Sequence, residues 1–421
     1  MLMALRYLTI GGVKMNKPEL LAPAGNLEKL KMALIYGADA VFMGGKAFGL
    51  RAFGGNFSDD ELKEGIEFAH SLQKKAYITI NIYAHNSDLK ELPEYLLYLE
   101  SINVDAIIVA DLGVFQIAKQ TVPKMPIHIS TQANNTNWAS IKAWQDMGAE
   151  RVVLARELSF EEIKEIRGVV NLDLEAFIHG AMCISYSGRC LLSNYFTGRD
   201  ANRGSCAQSC RWKYTLMEEK RPGEYFPIFE DERGTYIFNS KDMCMIEYLP
   251  ELINSGIDSF KVEGRMKSVH YVASVIKVYR QAIDSYFDNP KEYKLRDEWI
   301  EELNKGSHRE YSSGFYLNKA TDKDQIYGNS SYLQTHDFIG LVLDYDDEIG
   351  LATVEQRNNM KTGQEIEIIQ PQGATFIQEL EFMLDDEDNE INMAPHAQQI
   401  IRIKMAQPVE KYSMLRRKAK V

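Results

Sequence analysis

The chain has 421 residues, 45% hydrophobic and 26% charged, with a formal net charge of −12. That length accommodates a large core plus a second domain, and the composition excludes a disordered or low-complexity protein. The acidic balance disfavours a general nucleic-acid binder, whose affinity comes largely from neutralising phosphates, and five cysteines are too few and odd in number for a secreted disulfide scaffold. Residues 1–16 read as a leader, with Met15 a candidate start just before the first convincing strand. This leader lacks the basic flank and small-residue cleavage site of a signal peptide, and no later stretch has the length needed to cross a bilayer, so a cytoplasmic protein is expected.

From residue 17 onward, short apolar runs alternate with helical patterns. The runs are PELLAPAG, ADAVFMGG, KAYITIN, DAIIVAD, PIHISTQA, RVVLAREL, LDLEAFIHG and, after a long insertion, GIDSFKVEG. Between them, stretches such as SDDELKEGIEFAHSLQ and FEEIKEIRG carry helix caps and 3.6-residue apolar spacing. Runs apolar on both faces suit a parallel sheet covered by helices. Eight such units predict an α/β fold of TIM type, a (β/α)8 barrel over residues 17–289, with an insertion at 181–240. A Rossmann sheet fits poorly, because APAGNLEKL lacks the three-glycine fingerprint. Residues 290–330 read as a linker. From residue 331 to 421 the periodicity changes to two, with turns at NNMKTG, PQG and DDEDNE, which predicts a small β-barrel-like domain.

In such a barrel the chemistry gathers where strands end and βα loops begin. The residues predicted there are Asn81, Gln132, Asn134, Arg156, His179, Lys261, Glu263 and Arg265, with His128 near the end of its strand and Lys267 just beyond Arg265. Lys261 and Glu263 share one strand face and Arg265 extends it. These three suit an internal ion network, or, with Arg156, a dicarboxylate gripped by guanidinium groups. A third option has Arg265 and Lys267 facing RNA phosphates. His179 is a candidate catalytic residue or a turn-fixing one.

Four of the five cysteines fall between Glu175 and Arg211: Cys183, Cys190, Cys206 and Cys210. Cys244 follows in DMCMIEYLP. Reduced, buried thiols are one reading, but such cysteines are not expected to concentrate in one segment; a thiolate-held metal or iron–sulfur site is the other. The spacing matches neither a paired CxxC zinc knuckle nor the ferredoxin run. Arg189, Arg203 and Arg211 lie close to the cysteines and suit the charge of thiolates. From Met182 to Arg221 there are seven Lys or Arg against three Asp or Glu, with Tyr186, Tyr195, Phe196, Trp212 and Tyr214 among them, which is a composition for stacking single-stranded bases.

The segments EAFIHGAMCISYSGRC, NRGSCAQSCRW and SFKVEGRMKSVHYVASVIKVYRQAID closely resemble peptidase family U32, over about Lys17 to Ser285 and on through the C-terminal β domain. That family includes proteins named collagenase-like proteases as well as RNA-modifying members. Members of this architecture resemble enzymes that install 5-hydroxyuridine at the wobble position of tRNA with prephenate as co-substrate. Related ubiquinone-pathway members hold a 4Fe-4S cluster on four cysteines. Carried over, the resemblance implies cluster ligands Cys183, Cys190, Cys244 and Cys206, with Cys210 as the alternative to Cys206. From their positions and chemistry in the chain, His179, Lys261 and Glu263 are the catalytic candidates, and Arg156, Arg265, Lys267, Asn81, Gln132, Asn134, Tyr186 and Trp212 the substrate-binding candidates. The implied partners are a tRNA anticodon arm and prephenate or a similar small dicarboxylate.

Two other functions remain as expectations. One is a U32-type peptidase, although the chain shows no His-Glu-x-x-His or Gly-x-Ser-x-Gly, and Ser187 has no evident His and Asp partner order. The other is a non-enzymatic RNA-binding protein whose cysteines hold a structural zinc.

Overall fold

The computed structural model describes residues 13–46, 48, 56–182, 241–317 and 333–419, with 7–10, 192–197, 199, 207, 209, 230–231 and 234–235. Eight parallel strands close into a barrel. They are β1 (Glu19–Pro23), β2 (Ala40–Met43), β3 (Lys75–Ile80), β4 (Ala106–Val109), β5 (Ile127–Ile129), β6 (Arg151–Val153), β7 (Asp173–Ala181) and β8 (Ser259–Val262), with β8 hydrogen-bonded to both β1 and β7. Around them lie α1 (Leu27–Ile35), α2 (Asp59–Ser71), α3 (Leu92–Ser101), α4 (Leu112–Thr121), α5 (Trp138–Asp146), α6 (Phe160–Val169), α7 (Leu249–Asn254) and α8 (Val269–Asp288). These are the eight strand–helix units expected from the sequence.

The local reasons are visible at each helix start. Asn26, Ser58, Asp111, Asn137, Ser159 and Ser268 each accept a backbone N–H with their side chain, and Ser58–Glu61 and Ser159–Glu162 complete capping boxes. Strands β2, β4 and β8 are buried at every position, as a sheet covered on both faces requires. The main core lies between the strands and the helices, and a small second core of Leu21, Ala40, Phe42, Tyr77, Ala106 and Ile108 forms a separate cluster on β1 to β4.

Strand β7 is nine residues long and does two jobs. Its first part pairs with β8 and closes the barrel, and its last three residues pair antiparallel with a short strand, Asp242–Cys244. The sheet therefore continues sideways out of the barrel, to a further strand at Tyr311–Ser312. This corrects one expectation: residues 290–317 are not a bare linker. They contain a helix, Asp297–Leu303, whose Trp299 is buried, and Tyr316 donates its hydroxyl to the Phe177 carbonyl of β7. The segment reads as polar, but Trp299, Leu303 and Tyr316 are buried.

The C-terminal unit is a seven-stranded antiparallel half-barrel, in the order Phe376–Glu379, Glu365–Ile369, Met414–Lys418, His336–Asp346, Leu351–Gln356, Ile400–Lys404 and Met383–Leu384. Its core, including Ile339, Val342, Val354, Ile366, Ile401 and Leu415, is separate from that of the barrel. The two units are joined by apolar packing, with Leu341, Ile369 and Met414 buried in the barrel's core cluster, and by buried polar contacts. Arg416 is fully buried and donates to Glu302 and Glu367, with His270 Nε2 3.1 Å from its Nη1. Tyr36 of the barrel donates to the carbonyls of Ile369 and Tyr412, and Lys277 donates to Gln370 and Gly373.

Several buried histidines make the fold acid-sensitive. Burial and then Arg416 push His270 down to about 4 from the usual 6.5, and burial and then Lys267 push His179 to about 3. Both folded values lie below the unfolded one, so the unfolded chain binds more protons in that window and stability rises with pH across it. This contribution is fully present above about pH 6.5 and is lost on acidification toward pH 4 and 3, at a cost on the order of a few kcal/mol. Thermal melts at a series of pH values should show a midpoint that is flat from pH 7 to 8 and falls continuously below 6.5. A midpoint constant down to pH 4.5 would contradict this assignment.

Candidate active site

The barrel is sealed partway along its axis by a charged network on inward positions. Arg151 Nη1 donates to Glu19 at 2.5 Å and to Glu175 at 3.3 Å, Lys261 Nζ donates to Glu175 at 2.7 Å, and Ser259 and Tyr77 donate to Glu19. Glu175 has no solvent exposure, and the Lys261 ammonium lies 4.3 Å from the Phe42 ring centre. Lys261 is thus held inside by a carboxylate and by aromatic faces. Glu175, Glu19 and Arg151 were missed in the sequence, although charged residues inside otherwise apolar strands were their signal.

Beyond this plug, at the C-terminal ends of the strands, the mouth divides into two halves. One is cationic. The Arg156 guanidinium at the end of β6 stacks 3.9 Å over the Phe177 ring centre and donates to Glu263 and to the Ala181 carbonyl. Its Nε is buried without a partner. Arg265, after β8, is 3% exposed and donates to Asn56. A Cβ on Gly44 would lie 3.0 Å from both Arg265 Nη2 and Thr79 Oγ1, so the glycine leaves the room in which this guanidinium rests on the end of β2. Asn56 and Thr79 are mouth residues that the sequence reading did not single out.

The other half is built of amides around Ser130. Asn81 Nδ2 donates to Ser130 Oγ at 3.4 Å, and the Gln132 backbone N–H donates to the same oxygen at 3.3 Å. Asn134 adopts a left-handed φ of 60° at the end of a short 3-10 turn, Thr131–Ala133. Asn81 and the turn carrying Gln132 and Asn134 thus meet at Ser130.

His179 does not join them. Between Lys261 and Val262 the β7–β8 register shifts, so that Phe177 faces Lys261 and His179 faces Val262 with Ile178 as the extra residue. Such a bulge re-aims the side chains beyond it. His179 turns out of the barrel and packs among the rings of Tyr271, Tyr279 and Tyr311, its Nδ1 3.4 Å from the Tyr279 hydroxyl. The next residue, Gly180, has φ 110°, and a Cβ there would sit 2.4 Å from the Glu263 carbonyl oxygen, so only glycine allows this close approach. With burial holding its pKa near 3, His179 is a neutral packing group rather than a base poised near neutrality. Lys267 lies on the same outer side, donating to the Ser307 carbonyl.

Cys244 is the one cysteine within the described residues, and it stands directly across the antiparallel pair from His179, its Sγ 3.9 Å from the Tyr279 hydroxyl. Met182 is the last described residue before Cys183. The fold therefore brings the chain entering Cys183 and the strand carrying Cys244 to the same edge of β7. Burial pushes the Cys244 thiol up to about 11, which favours the protonated form unless a metal ion displaces the proton. Cys183, Cys190, Cys206, Cys210, Tyr186, Ser187, Trp212, Arg189, Arg203 and Arg211 lie outside the described residues.

A (β/α)8 barrel with a closed interior and a polar mouth at its strand ends is the architecture of an enzyme. The family model for peptidase family U32 matches residues 25–326, and the model for its C-terminal domain matches 334–416. The chain is 44% identical over 402 residues to the tRNA hydroxylation protein P1 of Bacillus subtilis (strain 168), covering 96% of this chain and 95% of that one. It is 39% identical to the tRNA hydroxylation protein P of Escherichia coli (strain K12), over 85% of this chain and 87% of that one. Over 66% of this chain and 41% of the other, it is 36% identical to the 23S rRNA 5-hydroxycytidine C2501 synthase of Escherichia coli (strain K12). The chain belongs to peptidase family U32. Among the described residues no helix is long and apolar enough to cross a membrane.

Proposed function

We propose that this chain hydroxylates tRNA, placing a hydroxyl on C5 of the wobble uridine at the barrel mouth. The observation that carries this reading is the end-to-end likeness to a tRNA hydroxylation protein, 44% identity over 96% of the chain. The mouth supports it. Arg156, which pairs with Glu263, and Arg265, which donates to Asn56, bring two guanidiniums to the strand ends, the donors that a dicarboxylate such as prephenate takes.

Replacing the C5–H bond by C5–O removes two electrons from the base, and these must pass to an external acceptor. We assign a 4Fe-4S cluster to Cys183, Cys190, Cys244 and Cys206, with Cys210 the alternative to Cys206; bound there, it would relay electrons one at a time beside β7. The position of Cys244 at the edge where the chain enters Cys183 suits that assignment. The basic, aromatic segment from Met182 to Arg221 is the natural holder of the anticodon arm, since loop bases can be splayed out and stacked. Deleting the gene and digesting bulk tRNA for nucleoside mass spectrometry tests the reading; 5-hydroxyuridine derivatives should fall.

A further inference from the structure

Four amide oxygens near the β5–α5 loop are buried without a hydrogen-bond partner: Asn81 Oδ1, Gln132 Oε1, Asn134 Oδ1 and Asn135 Oδ1. Buried polar atoms without partners are a few per cent of the total, and each costs about 1–3 kcal/mol. Such a concentration in one loop cluster is better explained by a ligand than by chance. Asn135 Oδ1 is fixed as an acceptor because Asn135 Nδ2 serves the carbonyls of Ser130 and Val153, and with Asn81 Nδ2 donating to Ser130 Oγ the Asn81 oxygen is an open acceptor as well.

The loop that presents them is tied down. Thr131 donates to the Leu154 carbonyl, Ala155 N–H donates to the Asn135 carbonyl, and Ser130 is 3% exposed. Amide oxygens left open in this way repel a carboxylate and accept from a neutral group bearing an N–H. Uracil carries one such group on its Watson–Crick edge, N3–H, flanked by two carbonyls that amide N–H groups can serve.

We propose that Asn81 and Gln132, held by Ser130, read the Watson–Crick edge of the target uracil, with Asn81 Oδ1 accepting its N3–H. This rests on the tRNA reading above and names the residues that recognise the base. It leaves the guanidinium half of the mouth to the anionic co-substrate.

Anticodon stem-loop RNAs carrying uridine or 3-methyluridine at the wobble position test it by fluorescence anisotropy, a readout that needs no turnover. The wild-type protein should bind the uridine RNA about tenfold more tightly than the 3-methyluridine RNA, the equivalent of one hydrogen bond. In Asn81→Ala that ratio should collapse toward one, and Gln132→Ala should narrow it, with thermal melts confirming that both variants fold. A ratio unchanged in both variants overturns the inference, as does a wild-type protein that binds the two RNAs equally. If the wild-type protein binds neither RNA, the tRNA reading itself fails, and that outcome is distinct from the other two.

Discussion

On the cluster assignment proposed above, Cys244→Ala protein is expected to purify with less iron and weaker visible absorption than wild type, while its melting temperature stays within a few degrees of it. The substitution deletes one sulfur at the edge of β7, and the partly buried site loses little packing. Losing one of four thiolates leaves one iron without its protein ligand and weakens retention of the cluster. The thiol at this position, pushed by burial to about 11, is a poor spontaneous thiolate, so metal retention should also weaken as pH falls and protons compete. Iron analysis and an absorption spectrum on anaerobically purified protein check the result. A variant with full iron content removes Cys244 from the ligand set. A colourless wild-type protein with one zinc would instead mark a structural metal.

Lys261→Met should cost about 3–5 kcal/mol in chemical denaturation, the range for breaking one partner out of a buried ion pair. The loss leaves Glu175, which has no exposure, with Arg151 at 3.3 Å as its remaining cation. The double variant Glu175→Gln/Lys261→Met removes both charges and should recover a large part of that loss. These two curves separate support from chemistry. If Lys261→Met unfolds at nearly the wild-type denaturant concentration but fails to modify tRNA, Lys261 acts on substrate and the plug is not its main role.

The barrel was legible because each unit announces itself three times over. GADAVFMGG, for example, ends a helix on Gly37 at φ 115°, supplies Asp39 to hold the Leu20 N–H, and starts a strand with no exposed position. Asn81 directly follows the last apolar position of β3, whereas Ser130, the residue in the same place after β5, was passed over for Gln132 and Asn134 further along the loop. His179 was misplaced because strict alternation from Glu175 and Phe177 puts it inside. The one-residue bulge at Ile178 has no sequence signature beyond Gly180, whose positive φ accompanies it. Segment 290–317 was misread because its burial depends on a neighbour, the Asp242–Cys244 strand, that follows a 60-residue insertion and is itself only three residues long. Arg416 was invisible for a related reason. In MLRRK a run of three cations reads as solvated, and only the distant Glu302 and Glu367 make the burial of the first one tolerable.

The central claim stands or falls on nucleosides. A strain lacking this gene and any redundant pathway should be complemented in turn with wild-type, Cys183→Ala and Ser187→Ala proteins, and its bulk tRNA digested for mass spectrometry. The account predicts that 5-hydroxyuridine derivatives vanish on deletion, return with the wild-type and Ser187→Ala proteins, and stay absent with Cys183→Ala. Derivatives unchanged by the deletion would contradict it, and restoration by Cys183→Ala but not by Ser187→Ala would point to a hydrolase-like nucleophile instead.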